Sequence, residues 1–278
     1  MVKSVGYIGI GNMGMPISTN VLKAGFDLTV YDVRDEPLRQ LEAQGAYIAK
    51  SPIEVGERCE LIELSLVDDE QIERIVCGPG GVLDGTKPGS IIAIHSTIHP
   101  RTAKAVAKAA EPKGVGVLDA QVSGGQSGAW GKTLTYMVGG DRELFDQCLP
   151  VFQTSGTNIF HVGPVGAGSA TKLAQQVMVC INRMSAYEGM MLAKRAGVDL
   201  ETLQAVVHTS GAQSRVIDEW RDSFGHMGAT PEAAAHNAHL FWKGLIPALE
   251  LGHEVGLAMP ATALVQQFFP RVLGLEEP

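Results

Sequence analysis

The sequence predicts an α/β protein in which a doubly wound parallel sheet is followed by an all-helical second domain. Three observations carry that prediction. Short β-rich apolar runs alternate with helical stretches from Val5 to Leu118, the signature of a parallel sheet wrapped by helices. A glycine-rich turn, Gly9-x-Gly11-x-x-Gly14, follows the first run directly. Between Pro164 and Pro231 there is no proline, and apolar residues recur at helical spacing from about Ala170 through Ala196.

The candidate strands, in order, are Val5 to Ile8, Leu28 to Tyr31, Leu61 to Leu66, Ser90 to Ile94 and Gly116 to Leu118. Helices are expected between them. The first spans Met15 to Ala24 and is closed by Gly25, and another starts where Ser51, Pro52 and Glu54 supply an N-cap, a first-turn proline and a capping-box acid. Leu134 to Val138 and Asn158 to His161 flank a helix from Arg142 to Leu149 and extend the same sheet. The long helix after them opens the second domain, with the boundary near Gly163 to Gly168.

Composition excludes several classes. The chain has 278 residues, 45% hydrophobic and 19% charged, as expected of two ordered domains rather than a disordered chain. A net charge of −8 opposes binding to polyphosphate, so nucleic acid is not an expected partner. The first residues enter a strand without a basic leader, and no apolar run is long enough to span a bilayer, so a cytoplasmic protein is expected. Cys59, Cys77, Cys148 and Cys180 are scattered without C-x-x-C spacing and read as reduced structural thiols.

Each glycine of the turn has a physical task. Gly9 permits the tight bend, Gly11 lets the backbone approach a pyrophosphate, and Gly14 lets helix and strand pack closely, with Asn12 and Met13 completing the loop. The helix start that follows supplies unpaired N–H groups for the phosphates. Asp32 ends the next strand about 20 residues on, where an acid hydrogen-bonds ribose hydroxyls. This is the Rossmann-type pattern, and Asp32 favours NAD, while Arg34 two residues later leaves NADP open. Residues 1–163 are thus expected to form the dinucleotide-binding domain and residues 164–278 the helical substrate and oligomerisation domain.

Two further segments carry chemistry. Asp119-Ala120-Gln121-Val122-Ser123-Gly124-Gly125 reads as a loop whose hydroxyl and N–H groups could hold a carboxylate, or as an ordinary turn. Gly166-Ala167-Gly168-Ser169-Ala170-Thr171-Lys172 sets a lysine one turn inside the long helix, with Gln176 on the same face at i+4. Among eight histidines, His236 and His239 have a spacing that could bind metal but lack a third ligand, so no metal is expected. His95, at a strand end before Ser96-Thr97, is a second candidate for the nicotinamide's neighbourhood, though a packed histidine is the plainer reading.

Taken together, these motifs resemble the β-hydroxyacid dehydrogenase family, which includes 3-hydroxyisobutyrate dehydrogenases and tartronate semialdehyde reductases. The resemblance rests on the Gly9 to Gly14 turn, Ser96-Thr97 followed by Pro100, the Asp119 to Gly125 segment, the spacing from Gly131 through Leu134 to Val138-Gly139-Gly140, the glycine-lysine motif ending at Lys172, and Lys243 with the helix after it. It implies that Ser123, Gly124 and Gly125 hold a substrate carboxylate and that Lys172 is the catalytic group. It places Gln176 against the substrate and Leu66, Val67, Thr97 and Lys243 against the cofactor. A small-molecule carboxylate substrate and a homodimer or homotetramer are implied as well.

The chain departs from the family pattern at Gln121 and Val67, where prolines are usual, at Gln175 and Gln176, where paired asparagines are common, and at Gly244, where an aspartate usually follows the lysine. The expected reaction is hydride transfer between a nicotinamide and a small 3-hydroxy acid or its semialdehyde, with Lys172 as general acid/base. Free lysine has a pKa near 10.4, so base catalysis at neutral pH would require burial to lower it. The alternatives are an imine or ketone reductase of the same architecture, against which Lys172 argues, and a non-catalytic dinucleotide-binding module.

Overall fold

The computed structural model describes residues 2–219 and 244–272. It divides into two compact units, Met1–Lys172 and Leu173–Pro278. The first unit is built on an eight-stranded sheet of order β3-β2-β1-β4-β5-β6-β7-β8. Its strands are β1 (Ser4–Ile8), β2 (Asp27–Tyr31), β3 (Tyr47–Ile48), β4 (Leu61–Leu64), β5 (Ile91–Ile94), β6 (Gly116–Ser123), β7 (Leu134–Gly139) and β8 (Gly156–Gly163). All neighbours are parallel except β6 and β7. The strands β1 to β6 therefore end on one edge of the sheet, and the order reverses at β1, the switch point where ligands bind in such sheets.

Helices cover both faces. They are α1 (Gly14–Lys23), α2 (Asp35–Glu42), α3 (Pro52–Arg58), α4 (Asp69–Cys77), α5 (Val82–Gly85), α6 (Pro100–Ala110), α7 (Gly125–Trp130) and α8 (Arg142–Phe152). Side chains alternate across the sheet, and each face has its own core. Leu61, Ile91, Ala93, Leu118 and Ala120 pack on one side with Ile17 and Val21 of α1 and Phe145 and Phe152 of α8. Ile62, Leu64, Ile92, Ile94 and Val117 pack on the other with Val55, Ile72, Ala103 and Val106 of α3, α4 and α6. Burial on both faces is why these strands read as near-continuous apolar runs.

The structure corrects two local readings. Asp119 to Ser123, expected as loop, continues β6 and pairs antiparallel with β7 from Asp119↔Gly139 to Ser123↔Thr135. The glycines that suggested a loop lie just beyond it, and the cross-strand partner that makes the segment a strand is remote in sequence. At α3, the Ser51 side chain accepts from the Glu54 amide as expected. The Glu54 carboxylate, however, receives the Lys50 amide at 2.7 Å and the Tyr47 hydroxyl at 2.7 Å, so the return arm of the capping box reaches one residue further back.

The long helix α9 runs Ala167–Arg195, and its first turns belong to the sheet-containing unit. In the helical unit α9 is followed by α10 (Leu200–His208) and α11 (Arg215–Asp218), then by helical residues 244–254 and a last helix, Pro260–Val272. Cys180, Leu245 and Val265 form one small core there, and Ala186, Met190, Val216 and Ile217 another.

Candidate active site

The glycine turn bridges β1 and α1. Gly9 has φ +91°, and a Cβ there would collide with the Ser65 carbonyl oxygen; a Cβ on Gly14 would collide with the Gly9 carbonyl oxygen. Only glycine fits either place, because Gly9 lies against the backbone just past β4 and Gly14 against the backbone of the turn itself. A Cβ on Gly11 meets only Arg34 Nη2, at 3.9 Å, so the backbone there is open to approach. Asn12 is exposed and Met13 half-buried just before α1 begins. This cradle fits the pyrophosphate of a dinucleotide, with the first amides of α1 directed at it.

Asp32, at the end of β2, is tied to the same loop. One carboxylate oxygen accepts from the Ile10 amide at 2.7 Å and from Arg34 Nη2 at 3.0 Å, and the other from the Arg34 amide at 2.9 Å and Arg34 Nε at 3.0 Å. Burial pushes this carboxyl up, but the Arg34 and Ile10 hydrogen bonds outweigh it and hold the group below its ordinary range. All four acceptor positions of a carboxylate are thereby engaged. Arg34 also donates to the Ile10 carbonyl at 3.0 Å, so an exposed guanidinium lies over the loop where a ribose would be read.

Leu66 and Val67 follow β4, and Thr97 follows β5, on the same edge. The Leu66 amide donates to Ser96 Oγ at 2.7 Å, which joins the two turns. Val67 is 59% exposed, and its amide donates to the Gln71 side chain at 3.3 Å. Lys243 lies outside the described residues, as do His236 and His239. Among the described residues no group of His, Cys, Asp and Glu could hold a metal ion.

Ser123 ends β6 on this edge and is half-buried; Gly124 and Gly125, with φ of +129° and +63°, turn the exposed chain into α7. Four residues before Ser123, the fully buried Asp119 accepts the Gly166 amide at 2.9 Å and the Ser169 amide at 2.7 Å. The carboxylate therefore clamps the start of α9 to β6. Burial pushes the Asp119 carboxyl above its usual range, against the pull of the Ser169 and Gly166 amides. Gly168 allows the close approach, since a Cβ there would strike the Asp119 carbonyl oxygen. Lys172, half-buried, sits one turn beyond the clamp on α9. One carboxylate thus couples the strand ending at Ser123 to the helix bearing Lys172. In the sequence Asp119 falls in an expected loop, and a lone acid after an apolar strand is the signal for its role.

Known proteins match this chain over nearly its whole length. Residues 4–163 match the family model described as the NAD binding domain of 6-phosphogluconate dehydrogenase. Residues 166–276 match the one described as NAD-binding of NADP-dependent 3-hydroxyisobutyrate dehydrogenase. The chain belongs to the β-hydroxyacid dehydrogenase family. Like the family, it is an oxidoreductase that uses a nicotinamide dinucleotide.

Among similar family members, 2-(hydroxymethyl)glutarate dehydrogenase of Eubacterium barkeri is 34% identical over 273 residues, covering 98% of this chain and 90% of its own. NAD-dependent L-serine dehydrogenase of Pseudomonas aeruginosa is 32% identical over 260 residues, with 94% and 85% covered. The solved structure of Mycobacterium tuberculosis 3-hydroxyisobutyrate dehydrogenase with L-serine has a TM-score of 0.86 at 26% identity, covering 99% of this chain and 94% of that one.

The departures from the β-hydroxyacid dehydrogenase pattern have physical counterparts. Gln121, in place of a proline, is buried and donates through Nε2 to the Ile94 carbonyl at 3.2 Å, a bond proline cannot make. In the helical unit, a Cβ on Gly244 would lie 3.0 Å from the Gln176 side chain. The longer amide at 176 and the missing side chain at 244 thus compensate in volume. Gln176 also donates to Cys180 Sγ at 3.9 Å.

Proposed function

We propose that this chain transfers a hydride between a nicotinamide dinucleotide and a small 3-hydroxy acid or its semialdehyde, with Lys172 as the general acid/base. The observation that carries the reading is the Asp119 clamp, which links the strand ending at Ser123 to the helix start bearing Lys172. Gly9, Gly11, Asn12, Met13 and Gly14 would hold the pyrophosphate, Asp32 and Arg34 the adenosine ribose, and Leu66, Val67, Thr97 and Lys243 the remainder. When bound, the nicotinamide accepts or returns the hydride.

The chain's own groups do the rest. Ser123 Oγ and the amides of Gly124 and Gly125 hold the substrate carboxylate and so present one face of the reacting carbon. In oxidation a neutral Lys172 Nζ takes the hydroxyl proton as the C–H bond gives up its hydride; in reduction the ammonium returns that proton to the forming alkoxide. The positive charge also stabilises developing negative charge on that oxygen. Gln176 would contact the remainder of the substrate from the helical domain, residues 164–278.

The substrates named for the relatives, 2-(hydroxymethyl)glutarate, 3-hydroxyisobutyrate and L-serine, share a hydroxymethyl group on the carbon that bears a carboxylate. That shared unit is the substrate class we assign. Purified protein should turn over these compounds with NAD or NADP in preference to 2-hydroxy acids of similar size. Failure to oxidise any of them with either nucleotide would refute the assignment.

The helical unit also supports self-association. Among the described residues of the helical unit, which form two small cores, Met178, Leu192, Val206, Val255 and Leu264 are more than half exposed, apolar surface that self-association would cover. We propose a homodimer or homotetramer covering them; a single monomer mass in solution at micromolar concentration would sink that assignment. Four free cysteines accord with a reducing, cytoplasmic setting, and among the described residues no helix is long and apolar enough to cross a membrane.

A further inference from the structure

The ladder between β5 and β6 ends early. Paired residues run only from Ile91↔Gly116 to Ala93↔Leu118, after which β6 continues to Ser123 with β7 alone. Across the gap that opens, two side chains replace the missing backbone bonds. Gln121 Nε2 reaches the Ile94 carbonyl, and His95 Nδ1 reaches the Ala120 carbonyl at 2.7 Å. His95 is held from behind by Glu63, whose Oε1 lies 3.1 Å from Nε2, and both side chains are 1% exposed.

The chemistry of this contact is constrained. A carbonyl only accepts, so Nδ1 carries a hydrogen. The Nε2 to Oε1 contact then needs a second proton, without which two lone pairs would face each other. Imidazole and carboxyl together are neutral, wherever along the contact that proton resides. An acid in the middle of Leu61-Ile62-Glu63-Leu64 is costly to bury unless it is paired. The surroundings are otherwise aromatic: the Tyr7 ring stacks on His95 at 6.1 Å, and Tyr136 and Phe152 meet it edge-on at 5.8 and 6.1 Å. Tyr7 hydrogen-bonds to Ser65 at 2.7 Å, at the end of β4.

His95 thus sits between two parts of the site. Two residues after it comes Thr97 on the cofactor side; its bond to Ala120 fixes β6 three residues before Ser123 on the substrate side. We infer that His95, oriented by Glu63, is a positioning residue that sets the separation between the cofactor turn at Thr97 and the carboxylate-holding Ser123. The inference rests on the hydroxy-acid reading for its consequence in turnover, but the positioning itself can be measured without turnover.

Two substitutions separate the arms of the ring. In H95N the amide nitrogen takes the place of Nδ1 and keeps the Ala120 bond. In H95Q the amide nitrogen takes the place of Nε2 and keeps only Glu63. With the full-length protein, H95Q should lower kcat/KM for the hydroxy acid by about tenfold or more through KM, while nucleotide Kd stays within about twofold; H95N should remain within about threefold of the native chain. Hydrogen exchange at the Gln121 to Ser123 amides, without substrate, should accelerate in H95Q and not in H95N.

E63Q guards against misfolding of the histidine variants. Its amide donates to Nε2, leaves Nδ1–H on Ala120, and should behave as the native chain in both readouts. Equal exchange and equal kcat/KM in H95N and H95Q would overturn the proposal. So would a loss of nucleotide affinity matching the loss of turnover in H95Q. If the native chain turns over no hydroxy acid, the substrate assignment fails while the exchange comparison still decides the positioning role.

Discussion

The β1–α1 turn and the β6–α9 clamp reach the same edge of one sheet by opposite means. At the first, the geometry comes from missing side chains: Gly9 and Gly14 leave no room for a Cβ, and a Cβ on Gly11 would meet only Arg34 Nη2 at 3.9 Å. At the second, a single carboxylate, Asp119, gathers two amides from a segment 47 and 50 residues away in sequence. A binding surface made of backbone tolerates no added atoms. The start of a helix depends instead on one carboxylate clamp.

Perturbing each junction in turn sharpens that contrast, beginning where the largest effect is expected. K172A should lower kcat by about 10³-fold, the scale of general acid–base catalysis, and leave nucleotide affinity intact. Stopped-flow turnover beside fluorescence titration with NADH measures both, and comparable turnover in the variant would show that another group moves the proton.

G14A adds one carbon where the Gly9 carbonyl already lies. The turn must open, so nucleotide affinity should fall by about 100-fold, roughly 2.7 kcal/mol. Calorimetric titration tests this, and unchanged affinity would mean that the turn yields more readily than its geometry implies.

D119N changes a single atom at the second junction. An asparagine oxygen can accept from only one side of the clamp, and its NH2 then faces the other amide. The buried donors left facing each other should cost about 1–3 kcal/mol in denaturant unfolding. KM for the hydroxy acid should rise while nucleotide Kd holds, separating the two junctions. A variant as stable as the native chain would remove Asp119 from its assigned role.

The smallest effect concerns cofactor choice. Arg34 occupies every acceptor position of Asp32 that Ile10 leaves open. R34A should free Asp32 for a ribose diol and shift the NAD to NADP preference towards NAD by about tenfold, as expected of an arginine that accommodates a 2′-phosphate. An unchanged ratio of kcat/KM values would mean that neither group reads the ribose.

Local pattern made the glycine turn legible. A strand, three glycines at fixed offsets and an acid on the next strand lie within about one βαβ unit, so their neighbours in space are neighbours in sequence. The helix starts at Ser51-Pro52 and the long helix leading from Lys172 were readable for the same reason. The strand character of Asp119 to Ser123 was not, because it arises from pairing with β7 across a chain reversal that begins with two glycines. Nor was the Glu63–His95 pair: an acid in an apolar strand is visible, but its partner lies 32 residues away, just past the next strand, with α4 and α5 in between.

By itself the sequence determined the alternation of strands and helices, the glycine turn and the residue types available for chemistry, since these depend on periodicity and on conformations open only to glycine. Tertiary structure decided which buried polar groups meet. The low-dielectric core penalises every unpaired donor or acceptor, so Asp119, Gln121, Glu63 and His95 acquire their partners only once the strands are in register.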